Sequence, residues 1–305
     1  MKPTLRIGTR GSDLALTQAQ SVAELLKRRE AGLCFEIVPI RTRADNMQNV
    51  AIVELGGKGV FVKEIETELL NGSIDIAVHS MKDVPVELPP GLEMVAYPER
   101  EDPRDVLVTR NNVKFEELRR GARIGTGSLR RRMQLLNAMP DLAVMPLRGN
   151  VMTRIKKIET DELDGIVLAA AGMRRIGLQH LVSQYLDPDL MVPAAGQGVL
   201  GIEIRADDND LRERLSFLNH EETVIEIKAE RSFLRRLGGG CQVPIAGFAR
   251  LKGRMLKIRG IVGTPDGRRL VDDTLRGGRD EAEKLGEALA DSLLDKGAGE
   301  ILAME

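Results

Sequence analysis

The stretch Leu5-Arg-Ile-Gly-Thr-Arg-Gly-Ser12 recurs, one residue shorter, as Ala122-Arg-Ile-Gly-Thr-Gly-Ser128. Each copy consists of a short strand, a glycine-containing turn and a serine suited to cap the N-terminus of a helix. Apolar residues follow both serines at helical spacing: Ala15, Ala19, Val22 and Leu26 in the first copy, and Met133, Leu135 and Leu136 in the second. The repeat predicts two α/β lobes of similar plan.

A second and looser pair of stretches agrees with this plan. The apolar run 74–78 leads into His79-Ser-Met-Lys-Asp83, and the run 163–168 leads into Ala169-Ala-Ala-Gly-Met-Arg-Arg175. Each run predicts a strand that enters the start of a helix. Because parallel sheets bind ligands at their strand ends, we expect both lobes to direct these ends toward a shared cleft. A chance match of short strings remains the alternative at this point.

The last third of the chain has a different character. A helix is predicted over about 221–237, and the turn residues between the following apolar runs predict a three-stranded antiparallel meander over 245–251, 255–262 and 270–275. A closing helix carries Ala282, Leu285, Leu289 and Leu293 on one face. We predict an α/β fold with a first lobe of residues 1–99 and 196–218, a second lobe of 100–195, and a small C-terminal α+β domain of 219–305.

Composition excludes several classes of function. The 305 residues include 3% aromatic residues and no Trp, and the net charge is −1, so stacking on nucleic-acid bases and general polyanion binding are not expected. The N-terminus lacks the apolar core of a secretory signal, and the longest apolar stretch, 165–173, is too short to cross a bilayer. These features predict a soluble cytoplasmic protein without nucleic-acid or membrane partners.

The two cysteines, Cys34 and Cys241, form neither a disulfide framework nor a CxxC metal pattern. Cys34 lies in the apolar run 33–38, which predicts a buried strand residue. Cys241 lies in Leu237-Gly-Gly-Gly-Cys-Gln-Val-Pro244, where glycine and proline predict a bendable loop that exposes the sulfur. Both a reactive thiol and an ordinary free cysteine in a turn are compatible with this pattern.

Cations crowd the predicted strand ends of both lobes. They are Arg10 and Lys82 in the first lobe, and Arg130, Arg131, Arg132, Arg148, Arg154, Arg174 and Arg175 in the second. Helix N-termini already carry partial positive charge, so cations placed there favour a ligand with several anionic groups. A solvated basic helix face is the alternative for any single run. The number of runs favours an anion-binding site.

Other motifs narrow the chemistry. Gly125-Thr-Gly127 lacks the third glycine of a dinucleotide fingerprint, and no phosphate-binding Gly-Lys-Ser/Thr follows it. Asp83 beside Lys82 is either a surface ion pair or a carboxylate that handles protons and stabilises a cation. A cysteine hydrolase needs a histidine base beside its thiol, and the three histidines of this chain offer few candidates for that role. The segment 56–61 predicts either a lid with glycine hinges or a surface loop.

Taken together, these residues resemble the porphobilinogen deaminase (hydroxymethylbilane synthase) family from end to end. The matching stretches are Ile7-Gly-Thr-Arg-Gly-Ser12, Gly56-Gly-Lys-Gly59, His79-Ser-Met-Lys-Asp-Val-Pro85, Arg100-Glu-Asp-Pro-Arg-Asp105, Ser128-Leu-Arg-Arg131, Arg148-Gly-Asn150, Pro193-Ala-Ala-Gly-Gln-Gly198 and Gly239-Gly-Cys-Gln-Val-Pro244. Three positions depart from the family pattern: Gly127 replaces a common serine, and Ala44 and Ala246 each replace a common glycine.

The resemblance implies two lobes similar to type-II periplasmic-binding-protein domains and an α+β domain that carries Cys241. It implies a transferase that joins four porphobilinogen molecules head to tail, with loss of ammonia, onto a dipyrromethane cofactor attached to Cys241 through a thioether. The linear tetrapyrrole is then released by hydrolysis. Asp83 looks like the family's catalytic carboxylate, and the family favours a monomer that needs no metal.

The resemblance also implies roles for individual positions. The implied cofactor-binding residues are Cys241, Lys82, Asp83, Thr126, Ser128, Arg130, Arg131, Arg148, Gly149 and Arg154. The implied substrate-binding residues are Arg10, Ser12, Arg148, Arg154, Arg175 and Gln197, with Ser80 as a supporting donor and with Lys58 and Phe61 in the lid. The alternative function is a two-lobed binding protein for an anionic metabolite, without catalysis.

Overall fold

The computed structural model describes residues 4–30, 32–42, 59, 61–239 and 244–304. Cys241, Lys58 and Ala44 therefore lie outside the described residues. Internal contacts divide the chain into two compact units, Met1–Glu101 with Val199–Val224 and Asp102–Gly198 with Ile225–Glu305. The division into three domains stays a prediction.

Thirteen strands and nine α-helices are named here within the described ranges. The strands are β1 (Thr4–Arg10), β2 (Cys34–Ile40), β3 (Ile76–Ser80), β4 (Leu92–Ala96), β5 (Asp105–Thr109), β6 (Arg123–Gly125), β7 (Ala143–Met145), β8 (Gly165–Ala169), β9 (Gln184–Tyr185), β10 (Leu200–Arg205), β11 (Ile245–Lys252), β12 (Met255–Gly263) and β13 (Leu270–Gly278). The helices are α1 (Asp13–Arg29), α2 (Lys63–Leu70), α3 (Leu129–Ala138), α4 (Val151–Thr160), α5 (Ala170–Arg175), α6 (Asn209–Leu215), α7 (Glu221–Arg236), α8 (Ala282–Leu293) and α9 (Gly299–Leu302). None of the helices in this part of the chain is long and apolar enough to span a membrane.

The first unit contains a five-stranded sheet in the order β2-β1-β3-β10-β4. Strands β1, β2 and β3 are parallel, whereas β10 runs antiparallel to both β3 and β4. Helix α1 packs Ala19, Val22 and Leu26 against one face of this sheet, and α2 packs Ile65 and Leu69 against the other. The two cores hold the ends of β1 and β3 in place for the site described below.

The second unit repeats this topology in its first sheet, which has the order β7-β6-β8-β5-β9. Strand β6 pairs in parallel with β7 and β8, and β5 runs antiparallel to β8. The two repeated sequence stretches are therefore equivalent elements, β1 leading into α1 and β6 leading into α3. The prediction of two α/β lobes of similar plan is confirmed.

The second unit also contains the antiparallel sheet β11-β12-β13. Phe233 of α7 is fully buried against this sheet, and a side chain at Gly247 or Gly260 would meet the Phe233 ring at 2.7 Å. Helix α8 buries Leu289 and Leu293 in the same core. The predicted meander and closing helix are confirmed, and with them the predicted fold class.

One expectation about this fold is wrong. Cys34 begins a strand, as predicted, but its side chain is exposed. Strand β2 lies at the edge of its sheet and pairs with β1 alone, so an apolar sequence does not bury every position along it. Apolar character predicted the strand correctly and the burial of its first residue incorrectly.

Candidate active site

A pocket in the first unit lies at the C-terminal ends of β1 and β3. Five side chains to which the resemblance assigned roles line it together: Arg10, Ser12, Phe61, Ser80 and Asp83. The pocket thus combines a carboxylate, a guanidinium, two hydroxyls and an aromatic ring. This combination suits a ligand that has both anionic and cationic parts.

The backbone explains how Asp83 reaches this pocket. Strand β3 ends at Ser80, and a single 3₁₀ turn, Met81–Asp83, follows it. The Met81 amide donates to the Val199 carbonyl at 3.0 Å, and the Val84 amide donates to the Met81 carbonyl at 3.2 Å. Asp83 therefore stands on a turn that is anchored at both ends, and it is half-buried like its neighbour Lys82.

The remaining pocket side chains are held by local contacts. The Arg10 guanidinium lies over the Phe61 ring, 4.6 Å from its centre, which is a cation–π arrangement. Ser12 caps α1, as predicted, and accepts from the Ala15 amide at 3.3 Å. Gln18 also lines the pocket, and its Nε2 donates to Ser80 Oγ at 3.0 Å. Sequence reasoning missed Gln18 because it lies on the buried side of α1, among residues read as core.

In the second unit, the predicted caps place two helix N-termini after β6 and β7. Ser128 accepts from the Arg131 amide at 3.5 Å at the start of α3, while Thr126 Oγ1 accepts from the Ser128 amide at 3.2 Å. Asn150 caps α4, as predicted, and accepts from the Thr153 amide at 2.8 Å. Both helix starts follow strand ends, so their free amide groups favour anions there.

Arg148, Arg154 and Arg175 differ in how they are held. Arg154 Nε donates to the Gly149 carbonyl at 2.7 Å, where Gly149 has a φ of +112°, and Arg175 Nη2 donates to the Gly198 carbonyl at 2.8 Å. Arg148 is half-buried and makes no hydrogen bond or ion pair with the residues that the structure describes. A half-buried guanidinium without a protein partner in this part of the chain is well suited to an anionic ligand.

Arg130 and Arg131 do not form the solvated basic helix face that was the alternative for a single basic run. Both are buried, with 6% and 5% of their surface exposed, and both contact Asp105 at the start of β5. Arg131 donates to Asp105 Oδ1 through Nε at 3.0 Å and Nη2 at 2.7 Å, and Arg130 Nη1 lies 2.7 Å from Asp105 Oδ2. Burial alone would raise the pKa of Asp105, but the two guanidinium charges outweigh it and lower that pKa to about 2.

Gln197 belongs to the same buried cluster. Its Nε2 donates to the Pro103 carbonyl at 2.7 Å and to Asp105 Oδ1 at 3.0 Å. Asp105 therefore binds three of the side chains to which the resemblance assigned ligand contacts. The sequence analysis did not predict a role for Asp105. The feature that could have identified it is an acid at the start of the apolar run Val106-Leu-Val108.

Gly127 replaces a serine common in the family, and the structure gives this substitution a measurable consequence. A Cβ at Gly127 would lie 2.5 Å from the Leu147 carbonyl oxygen, whereas a Cβ at Gly11, the equivalent residue before Ser12, would meet nothing within 4 Å. We expect Gly127→Ser to lower the free energy of unfolding by about 1–3 kcal/mol, because a backbone atom cannot yield as a side chain does.

Urea denaturation of Gly127→Ser and of the matched control Gly11→Ser tests this expectation. Gly11→Ser should lie within about 0.5 kcal/mol of the unsubstituted protein. Equal losses in the two variants would show that the loop before α3 adjusts to a side chain without cost.

The class that each unit defines is that of α/β lobes with polar and charged side chains at their strand ends: the first unit has a pocket with a carboxylate and a guanidinium, and the second has arginines near its helix N-termini. A family model described as "Porphobilinogen deaminase, dipyromethane cofactor binding domain" matches residues 5–213, and one described as "Porphobilinogen deaminase, C-terminal domain" matches 224–295. The chain belongs to the porphobilinogen deaminase family.

Curated relatives and solved structures are similar to different degrees. The proteins named "Porphobilinogen deaminase" from Geobacter metallireducens and Syntrophus aciditrophicus are 52% and 51% identical over 98% of this chain and over 94% and 97% of their own lengths. Among solved structures, the BvgS periplasmic VFT2 domain of Bordetella pertussis is 15% identical over 71% of this chain and 86% of its own, with a TM-score of 0.42. A periplasmic binding protein with arginine specificity from Salmonella typhimurium is 16% identical over 70% of this chain and 91% of its own, with a TM-score of 0.39.

Proposed function

We propose that this protein joins four porphobilinogen molecules head to tail, with loss of one ammonia at each coupling, and releases the linear tetrapyrrole by hydrolysis. The observation that carries the proposal is the pocket that brings Asp83 together with Arg10 and Ser12. Porphobilinogen carries carboxylates for a guanidinium and a pyrrole nitrogen for a carboxylate. The family membership and the identity to the curated relatives support the same reaction.

The chemistry of the donor set fits the cofactor that the family name implies. A dipyrromethane carries four carboxylates, and the second unit offers Arg148 and Arg154 at the N-terminus of α4, together with the free amide groups at the start of α3. Cys241 would hold the group through a thioether, with Lys82, Asp83, Thr126, Ser128, Arg130, Arg131 and Gly149 as its other contacts. When bound, the dipyrromethane supplies the pyrrole carbon to which the first porphobilinogen molecule is added.

Asp83 is the catalytic residue in this proposal. When the C–N bond of the protonated aminomethyl group of porphobilinogen breaks, ammonia leaves with the electron pair and the positive charge spreads over the methylene carbon and the pyrrole nitrogen. A carboxylate beside that nitrogen stabilises the charge. After the new C–C bond has formed, the proton on the attacked ring carbon must be removed, and Asp83 is the carboxylate that lines the pocket and can accept it.

The basic residues hold carboxylates in this proposal and do not take part in proton transfer. Arg10, Ser12, Arg148, Arg154, Arg175 and Gln197 would bind substrate carboxylates, and Phe61 with Lys58 would form the lid. Each coupling adds two carboxylates, so a longer chain engages more of the arginines. The three-domain division, a cytoplasmic location and a monomeric state belong to the proposal on the family resemblance alone.

Intact-mass measurement of the purified protein tests the proposal directly. We expect an added mass equal to two porphobilinogen molecules less two ammonia molecules, because a thioether and one coupling each release one ammonia. Peptide mapping should place this mass on Cys241.

Cys34 provides the matched control, since it is an exposed thiol elsewhere in the chain. Cys34→Ala should keep the added mass and the turnover of porphobilinogen, whereas Cys241→Ala should lose both. An active protein without the added mass would overturn the cofactor assignment. An unmodified protein that binds porphobilinogen without consuming it would favour the binding-protein alternative.

A further inference from the structure

A buried cluster of three titratable side chains lies beneath the pocket and has no part in the reaction proposed above. It consists of His79 on β3, Glu203 on β10 and Glu66 on α2, with 4%, 1% and 6% of their surface exposed. His79 also lines the pocket, next to Ser80 and three residues before Asp83. Charged groups this deep are costly unless they compensate one another.

The sheet register explains how His79 and Glu203 meet. His79 lies opposite Gly201 and Ala77 lies opposite Glu203, so His79 and Glu203 are diagonal neighbours on one face of the sheet. His79 Nε2 and Glu203 Oε2 are 2.8 Å apart. This contact links β10 to β3 one residue before Ser80, where the turn that carries Asp83 begins.

Glu66 adds a second carboxyl to this pair. Helix α2 packs on the same face of the sheet, with Ile65 and Leu69 in a core that includes Ala77. Burial raises the pKa of Glu66 to about 7, and the negative charge of Glu203 adds to this effect, while His79 and Lys63 oppose it. Glu203 Oε1 is buried and has no hydrogen-bond partner among the described residues, whereas Oε2 is held by His79.

The other charged groups on the elements packed against α2 are bound elsewhere. On β1, Arg6 pairs with Asp75 at 2.9 Å, and Arg10 lies over Phe61. On β10, Arg205 Nη1 donates to the Leu69 and Ile74 carbonyls at 3.1 and 2.8 Å. On β4, Glu93 pairs with Arg212 at 2.7 Å. The groups that act on Glu66 are thus His79, Glu203 and Lys63, with Glu64 as its neighbour on the helix.

Among the described residues, no three His, Cys, Asp or Glu side chains are arranged so that they could hold a metal ion. We propose that His79, Glu203 and Glu66 are positioning residues: the buried cluster fastens α2 and β10 to the end of β3 and thereby holds Asp83 in the pocket. The catalytic part of this inference rests on the proposed function. The coupling of the three buried side chains to one another, which the pKa of Glu66 reports, does not.

Steady-state kinetics with porphobilinogen test the positioning role. Glu203→Gln should lower kcat by about tenfold to a hundredfold, because a small displacement of Asp83 costs that much, and should leave KM within about twofold. KM is spared because Arg10 and Ser12 lie on β1 and at the start of α1, away from the altered contact.

Glu36→Gln is the matched control, since Glu36 is an exposed acid on β2 of the same sheet. Its kcat and KM should equal those of the unsubstituted protein. A kcat of Glu203→Gln within twofold of this control, or a change confined to KM, would overturn the positioning role.

Carbon-13 NMR of the side-chain carboxyls tests the proton without any assay of turnover. In glutamate-labelled protein, one carboxyl signal should titrate with a midpoint of about 7, should be missing from Glu66→Gln, and should shift to lower pH in Glu203→Gln. The last shift follows because the amide removes the like charge. A Glu66 midpoint in the ordinary carboxyl range would overturn the proposal even if Glu203→Gln failed to fold.

Thermal unfolding separates the two proposals. Because the folded-state pKa of Glu66 lies above the ordinary value of 4.5, the native protein keeps a proton that the unfolded chain releases, and stability is lost as the pH rises from about 4.5 through about 7. As the pH rises through this window, the Tm of the unsubstituted protein should therefore fall relative to that of Glu66→Gln. Above the window the difference between the two Tm values should stay constant. If the unsubstituted protein does not consume porphobilinogen, the proposed function fails, while the titration and the Tm difference still decide the cluster.

Discussion

Asp83→Asn is expected to lower kcat for porphobilinogen by a factor of about 10²–10⁴, the range that a positioned acid–base group contributes. The amide keeps the size of the side chain and loses both the negative charge and the ability to accept a proton. Substrate binding should change little, because Arg10 and Ser12 line the same pocket and remain in place. Single-turnover measurement of ammonia release and of chain growth would show which of the two steps slows more.

The matched control for this variant is Asp207→Asn, an exposed aspartate in the same unit. Its kcat should equal that of the unsubstituted protein. Because Asp83 is half-buried and forms no ion pair with the residues that the structure describes, both variants should unfold at nearly the same urea concentration. Turnover of Asp83→Asn within threefold of the control would remove Asp83 from the mechanism.

The fold could be predicted well because its main determinants are local in sequence. The repeated strand, glycine turn and serine at 5–12 and 122–128 predicted two equivalent lobes, and the sheets β2-β1-β3-β10-β4 and β7-β6-β8-β5-β9 share one strand order. That strand β10 lies beside β3 was not predictable in the same way. The sequence predicts that residues 196–218 return to the first lobe, but no local pattern states that β10 lies between β3 and β4.

The site could be predicted only where a motif carries the residue. Asp83, Arg10 and Ser12 follow strand ends and are brought together in one pocket. Asp105 and Glu203 were missed because each is a single acid in an apolar strand, and its partner is 26 or 124 residues away. A charged residue in a buried strand needs a partner that offsets the cost of its burial, so an acid in an apolar run predicts such a partner elsewhere in the chain.

Asp105→Asn should lower the free energy of unfolding by about 3–5 kcal/mol, because it leaves Arg130 and Arg131 buried without their counter-charge. The matched control is Asp141→Asn, which removes the surface pair with Arg120, where the two side chains are 55% and 93% exposed. That loss should be no more than about 1 kcal/mol, since solvent screens an exposed pair. Urea denaturation at neutral pH measures both.

The acid limb of the stability curve gives a second and independent test of Asp105. Its pKa in the folded protein, about 2, lies below the ordinary value of 3.8, so its contribution is present above about 3.8 and is lost as the pH falls through about 2. Asp105→Asn should lack this part of the acid destabilisation, and the two stability curves should converge at low pH. Parallel curves for the two proteins, or equal losses in Asp105→Asn and Asp141→Asn, would mean that Arg130 and Arg131 find other counter-charges. Convergence would show that the two arginines depend on an acid of their own unit before any ligand carboxylate reaches them.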